Sequence, residues 1–283
     1  MIKISVNNIE QICYNYTEYV LSKGFKKNNI YFDYLHDSTN FRRFISCPPD
    51  KLCEIINDFN QYFPQIDLGS EDWISFKNYM IGQYETMRKE YSYKLLDELN
   101  IKVCPYCNRQ YTFVVNKKKK ISPQFDHFFN KSDYPYLALS FYNLIPCCPT
   151  CNHTKGCDSI KINPYISGFG EGVIKIDNLF NCMTHGEGWN IIIDTDDDCS
   201  TNVEAFALSE LYEQHKDYAE EIVLKAVANE KSYLEGLKNT FHEMNLSDDM
   251  IERVLWGNYL NEDDFAKRPL SKMASDIIKQ VKG

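Results

Sequence analysis

The chain has 283 residues, of which 43% are apolar and 25% are charged, a composition typical of a globular protein with a buried core. Its formal net charge of −9 argues against a general nucleic-acid binder, and no apolar run is long enough to span a membrane. The first residues lack the apolar stretch of a signal peptide, so we expect a cytoplasmic protein. Its eleven cysteines then indicate metal binding rather than disulfides.

The charge is unevenly distributed along the chain. Residues 101–165 carry nine Lys or Arg against three Asp, a net charge of +6, whereas residues 1–100 carry 11 basic against 14 acidic side chains. Residues 166–283 carry 11 against 23. Attraction to phosphate is therefore expected in the central segment. Its four lysines at 117–120 are either a solvated hairpin tip or a track for phosphates.

The first hundred residues predict helices. Residues 8–23 keep apolar side chains at a helical period before Gly24 ends them, and a second helix is expected over 49–63. Ser70 is a candidate N-cap for a long helix that runs through Leu99. We expect this region to be a scaffold or partner-binding arm without chemistry of its own, or to dock a partner subunit through its aromatic face.

The pattern then changes to short β-rich segments. Residues 110–115 and 121–126 predict a hairpin joined by the lysines, and Pro149 occupies a position that favours the start of a helix. Residues 173–176 and 189–194 predict a second hairpin, and residues 202–244 a largely helical stretch. On that stretch His215 is expected to be a packed, hydrogen-bonded side chain. Two short helices are expected over 248–259 and 269–280.

Two Cys-x-x-Cys pairs bracket the centre of the basic segment. Such a turn directs two thiolates at one ion, and two turns complete a tetrahedral sulfur shell. The expected ligands of a structural Zn²⁺ are Cys104, Cys107, Cys148 and Cys151. Cys147 would form a less usual spacing with Cys151 and is left out of this set.

Asp126 and His127 end a predicted strand, so their side chains should point in opposite directions. A hard divalent ion such as Mg²⁺ or Mn²⁺ takes one or two protein oxygens, which Asp126 and Asn152 would supply. His127 would then be free to act as a general base on water. A buried Asp–His pair with only a structural role is the alternative.

This order of residues resembles the ββα-metal (HNH) endonuclease family. The residues that carry the resemblance are Asp126, His127, Asn143, Asn152 and Lys155, within the frame of the two cysteine pairs. It implies that His127 is the general base and that Asp126 and Asn152 hold the catalytic ion. It further implies that Asn143 bridges the hairpin and orients the base, and that Lys155 is a phosphate-facing or helix-end basic residue. His153 is an alternative ligand if the helix is rotated.

A closer similarity extends this one. The segments Cys-Pro-Tyr-Cys, Asp-His-Phe-Phe-Asn-Lys-Ser-Asp-Tyr-Pro, Asn-Leu-Ile-Pro and Cys-x-x-Cys-Asn-x-x-Lys-Gly are similar to the nuclease subunit of Septu-type and retron-linked anti-phage defence systems. The resemblance implies an ABC/SMC-like ATPase as partner. Asn130 departs from it, since many relatives have Pro there.

The sequence therefore predicts a mostly helical α+β protein. A zinc-stapled ββα-metal nuclease core at 101–165 would be inserted between a helical N-terminal region at 1–100 and a C-terminal region at 166–283, which holds a short hairpin and then helices. The predicted function is metal-dependent hydrolysis of DNA as the effector of a defence complex. The alternatives are a non-catalytic zinc module that binds nucleic acid or protein, and an RNA or tRNA nuclease on the same scaffold.

Overall fold

A computed structural model describes residues 1–36, 38–115, 120–121, 123–170, 172–229, 235–237, 239–241 and 244–283. In this part of the chain the protein is mostly helical, with three two-stranded antiparallel sheets. The lysines at 117–119 and the side chain of Lys120 lie outside the described residues, and with them the prediction of a phosphate track.

The N-terminal region is helical, as predicted. Its helices are α1 (Ile9–Lys23), α2 (Ile30–His36), α3 (Ser38–Ser46), α4 (Leu52–Tyr62), α5 (Glu71–Glu90) and α6 (Ser92–Leu99). Ser70 caps α5 by accepting a hydrogen bond from the Trp73 amide. The single helix expected from Ser70 to Leu99 is wrong, because the chain leaves the α conformation at Tyr91, whose ring stacks on Tyr19 at 4.2 Å. Helices α2 and α3 were not predicted.

The central sheets differ from the predicted hairpin. Strand β1 (Val114–Val115) pairs with β2 (Lys120–Ile121), but β3 (Gln124–His127) pairs with the unpredicted strand β4 (Leu144–Cys147). Every residue of β4 is buried, so it has no alternating pattern that would mark it as a strand. Helix α7 (Pro149–Lys155) follows β4, with Pro149 in its first turn as expected. This strand pair and the short helix contain Asp126, His127, Cys151, Asn152 and Lys155, while Asn143 directly precedes β4 and Cys148 is the N-cap of α7.

The C-terminal region begins with the predicted hairpin, β5 (Val173–Ile176) paired with β6 (Ile191–Asp194). Its helices are α8 (Leu179–Met183), α9 (Asp197–Ala205), α10 (Leu208–Glu213), α11 (Lys216–Ala228), α12 (Asp248–Trp256) and α13 (Ser271–Lys282). The two closing helices agree with the prediction. The stretch predicted to be largely helical, 202–244, is helical over most of its described residues, but it is divided into separate helices because Ala207 adopts a left-handed conformation (φ 48°) and His215 is non-helical.

One apolar core runs through all three regions. From the N-terminal side the Tyr16 hydroxyl donates to the Leu139 carbonyl, and from the C-terminal side the Tyr212 hydroxyl donates to the Cys107 carbonyl. The central segment is therefore enclosed between the two helical regions. Within the described ranges, we find no helix that combines the length and apolar character needed to cross a bilayer.

Candidate functional site

Four cysteine sulfurs meet between the turn that contains Cys104 and Cys107 and the start of α7. The sulfurs of Cys104, Cys107, Cys148 and Cys151 all lie within 4.8 Å of one another, and all four residues are buried. The first two come from the turn before Asn108, and Cys148 is the N-cap of α7, so that Cys151 follows one helical turn later. Among the described residues this group contains the four predicted zinc ligands and not the buried Cys147; Cys157 is exposed.

The cluster fits a zinc ion. A tetrahedral shell with Zn–S bonds of ~2.3 Å has sulfur–sulfur edges of ~3.8 Å, and the sulfurs of Cys107 and Cys148 are 3.9 Å apart. Backbone amides also point at the sulfurs, from Arg109 to Cys107 at 3.4 Å and from Cys148 to Cys104 at 3.3 Å. Hydrogen bonds from Cys104 lower the pKa of Cys107 and of Cys148, whereas burial raises the pKa of Cys104 itself, so the four thiols share their protons unequally. Thiolates are the form that binds zinc, so the group could hold one structural ion.

Asp126 lies in the middle of β3 and is 3% exposed. Its Oδ2 accepts a hydrogen bond from the Tyr106 hydroxyl at 2.7 Å, and its Oδ1 contacts the ammonium of Lys155 at 3.0 Å. Burial raises the pKa of Asp126, although Lys155 and Tyr106 both favour the charged form. A buried ion pair therefore balances this carboxylate.

His127 ends β3 and is 5% exposed. Its Nε2 lies 3.1 Å from the Ala138 carbonyl oxygen, and because a carbonyl can only accept, Nε2 carries the proton and Nδ1 the lone pair. The Tyr84 ring meets the imidazole edge-on at 4.5 Å. Burial, and next the charge of Lys131, lower the pKa of His127 to about 3. The imidazole is therefore neutral at neutral pH and has one nitrogen able to accept a proton.

Asn143 is fully buried and closes the loop between β3 and β4. Its Oδ1 accepts from the Phe129 amide at 2.7 Å, and its Nδ2 donates to the carbonyls of Phe129 and Leu137, each at 3.0 Å. Leu137 precedes Ala138, the acceptor for His127. The Asn143 side chain thus joins two parts of the loop, at Phe129 and at Leu137, that lie next to His127 and its acceptor Ala138.

The α7 residues face different ways. Asn152 is half-buried, and its Nδ2 donates to the Gln124 side chain at 2.6 Å. His153 is exposed. Lys155 is 2% exposed, with its ammonium also 2.9 Å from the His127 carbonyl oxygen, so it faces the interior beneath β3.

A cleft brings three of the predicted site residues together. Asp126, His127 and Asn152 share it with side chains that were not predicted: Tyr84, Glu85, Arg88, Asn130 and Lys131. Asn143 and Lys155 do not line it. Three of the unpredicted side chains, Tyr84, Glu85 and Arg88, lie on α5. That helix is distant from Asp126 in the sequence, and the three residues belong to no recognisable motif. Tyr106 was detectable in principle, since it is the tyrosine inside Cys-Pro-Tyr-Cys.

The donors at this cleft match a divalent ion only in part. One carboxylate and one amide oxygen are the kind of ligands that Mg²⁺ takes. However, Lys155 already balances the charge of Asp126, whereas the Asn152 amide bonds to Gln124 through its nitrogen and not through the oxygen that would hold an ion. In this arrangement a second cation would gain little attraction from Asp126. The catalytic Mg²⁺ or Mn²⁺ stays a prediction.

Comparison with known proteins gives one partial similarity. The chain is 28% identical over 99 residues to the Septu protein PtuB from Bacillus thuringiensis, and this match covers 35% of the chain and 37% of PtuB. The chain thus spans a little over a third of that relative's length. No family model matches the chain, and no solved structure does.

Proposed function

We propose that the protein is a metal-dependent endonuclease of the HNH type that hydrolyses phosphodiester bonds of DNA. The observation that carries this proposal is the cleft in which Asp126, His127 and Asn152 meet, in the same segment as a cluster of four cysteines. A neutral histidine beside two oxygen donors is the chemistry that phosphodiester hydrolysis needs.

In this proposal each side chain has a separate role. Nδ1 of His127 takes a proton from the attacking water, while its Nε2–H group stays hydrogen-bonded to the Ala138 carbonyl oxygen. Asn143 positions the imidazole through the loop that contains that carbonyl. A divalent ion held by Asp126 and Asn152 would supply charge stabilisation at the phosphate. Lys155 orients Asp126 from beneath the strand.

The biological setting is proposed from the relative's name. The partial similarity to a Septu protein supports a role as a component of an anti-phage defence complex. We propose that an ABC/SMC-like ATPase is the partner and that DNA is the substrate.

One observation favours a second candidate, a zinc module that binds nucleic acid or protein without cleaving it. The ion pair with Lys155 leaves Asp126 with little net charge to attract a catalytic metal. In that case the cysteine cluster and the neighbouring basic residues would serve binding alone.

The test is incubation of the zinc-loaded protein with supercoiled plasmid and with tRNA, in Mg²⁺ or Mn²⁺, with and without the ATPase. We expect nicking or linearisation of the plasmid. Cleavage of tRNA alone would favour an RNA nuclease, and no cleavage of either with the ATPase present would favour the binding module.

A further inference from the structure

The last turns of α5 form one wall of the cleft. The Tyr84 ring contacts His127 edge-on at 4.5 Å, and its hydroxyl lies 3.4 Å from the Phe125 carbonyl oxygen. Phe125 and His127 flank Asp126 on β3, so α5 is fixed against the strand that carries the predicted catalytic pair. A helix from the region that was expected to lack chemistry therefore reaches the site.

Arg88 lies one turn after Tyr84 and on the same face of α5. It borders the cleft of Asp126 and His127, of about 120 Å³, and also an adjoining cleft of about 260 Å³ along Gln124 and Pro123. Its side chain is 58% exposed. Arg88 thus lies where the two clefts meet, so a nucleic-acid strand bound along both clefts would pass it.

The ion pair that Arg88 makes is weak enough to be exchanged. One guanidinium nitrogen lies 3.4 Å from a carboxylate oxygen of Glu85, and both side chains are more than 40% exposed. Such a solvated pair contributes little to stability. A phosphate offers the same charge with two oxygens that suit the fork of a guanidinium, so it can replace Glu85.

Lys131 provides a second cation at the same cleft. Its ammonium lies 5.2 Å from the centre of the Tyr84 ring, and it follows β3 by four residues. The Tyr84 ring is therefore in contact with both His127 and a lysine, while Arg88 lies one turn further along α5. Two cations, against the one carboxylate of Glu85 and a neutral imidazole, leave this rim with a positive charge that attracts anions.

We propose that Arg88 and Lys131 clamp backbone phosphates of duplex DNA at the rim of the cleft, and that Glu85 competes with the DNA for Arg88. The duplex as ligand follows from the proposed function, but the clamp requires only binding and no cleavage. The N-terminal region is then part of the substrate site.

The test is the affinity of fluorescein-labelled duplex DNA, measured by anisotropy over a range of NaCl concentrations without added Mg²⁺. The background is the full chain with His127→Ala, which prevents cleavage. Arg88→Gln and Lys131→Gln should each weaken binding about tenfold and reduce the salt slope by about 0.9. Glu85→Gln should tighten binding, and Arg88→Lys should restore part of the affinity.

Lys89→Gln is the matched control, since Lys89 carries the same charge on the next residue of α5 and borders neither cleft. It should change the affinity less than twofold. Equal effects of Arg88→Gln and Lys89→Gln, or no binding of the duplex, would overturn the clamp. Tighter binding of tRNA than of the duplex would also overturn it as stated. Arg88-dependent binding without cleavage by the wild type, even with Mg²⁺ or Mn²⁺ and the ATPase present, would leave the clamp standing and refute the nuclease.

Discussion

The imidazole of His127 is kept neutral by its surroundings. Its Nε2–H group donates a hydrogen bond to the Ala138 carbonyl oxygen. Among the described contacts, Nδ1 has no acidic partner. Burial and the charge of Lys131 lower its pKa to about 3. A proton that this residue binds easily in the unfolded chain is therefore bound by the folded protein only in strong acid.

This difference predicts a pH dependence of stability. The unfolded histidine titrates near 6.5 and the folded one near 3, so the stability contributed above pH 6.5 is lost progressively as the pH falls towards 3. Between pH 6.5 and 5 the loss is about 2 kcal/mol. Urea unfolding of wild type and His127→Gln at these pH values should show that the variant lacks this part of the slope. Equal slopes would contradict the account.

At the residue scale, the sequence indicated some of the side chains that meet but not how they are oriented. Asp126, His127 and Asn152 line one cleft, whereas Asn143 and Lys155 do not. Lys155 was expected to be a phosphate-facing or helix-end basic residue; it is the last residue of α7, but it lies four residues after Cys151 and so shares its buried face. That spacing was available in the sequence. The contact of Tyr84 with His127 was not, because it depends on how α5 packs.

At the scale of elements, the site is built from pieces too short to be stable alone. Strands β3 and β4 have four residues each, and α7 has seven. Isolated elements of this size are marginal in water. The cysteine cluster joins the start of α7 to the turn before Asn108, so a zinc ion would fix the helix that carries Asn152.

Removal of one zinc ligand should therefore disorganise the cleft. Cys148→Ser is expected to release zinc and to lower stability by several kcal/mol, since binding in isolated zinc fingers contributes on the order of 10 kcal/mol. Zinc content by mass spectrometry and thermal unfolding measure both effects. Cys157→Ser is the control, because Cys157 is exposed and outside the cluster. A Cys148→Ser protein with full zinc content and unchanged unfolding would refute the assignment.

The strand pairing of the central segment could be predicted from the sequence only in part. A basic linker between two β-rich segments predicted a local hairpin, and β1 does pair with β2. Strand β3 instead pairs across 16 intervening residues with β4, whose four positions are all buried. A strand partner that is distant in the sequence, and a strand without alternating polar and apolar residues, give no pattern that a short sequence window can detect. Pro149 and the capping Ser70 were predicted correctly because both act within one helical turn.

At the scale of the whole molecule, the C-terminal region packs against the turn that contains Cys104 and Cys107. Asn108 follows Cys107 in a left-handed conformation (φ 47°) and is fully buried. Its Nδ2 donates to the Phe265 carbonyl at 2.9 Å, and its Oδ1 accepts from the Lys272 amide at 3.1 Å. The cysteine turn and the last helix are thus joined through one side chain, although they are separated by more than 150 residues.

Asn108→Ala should weaken this connection. The variant loses two buried hydrogen bonds and places alanine in a left-handed conformation, so we expect a loss of about 3 kcal/mol and faster release of zinc to a chelator. Asn100→Ala is the matched control, since Asn100 has a similar φ of 46° but is exposed. It should cost about 1 kcal/mol and leave zinc release unchanged. Equal effects of the two substitutions would show that the connection contributes nothing.

The proposed nuclease function is tested most directly by the rate of plasmid cleavage in two histidine variants. His127→Ala should lower the single-turnover rate by about 10²–10⁴-fold, the usual contribution of a general base. His153→Ala, which changes an exposed histidine on α7, should stay within a factor of two of the wild type. A further variant, His127→Gln, together with the circular dichroism and zinc content of each variant, controls for folding. Cleavage by His127→Ala at the wild-type rate, or loss of cleavage in His153→Ala alone, would contradict the account.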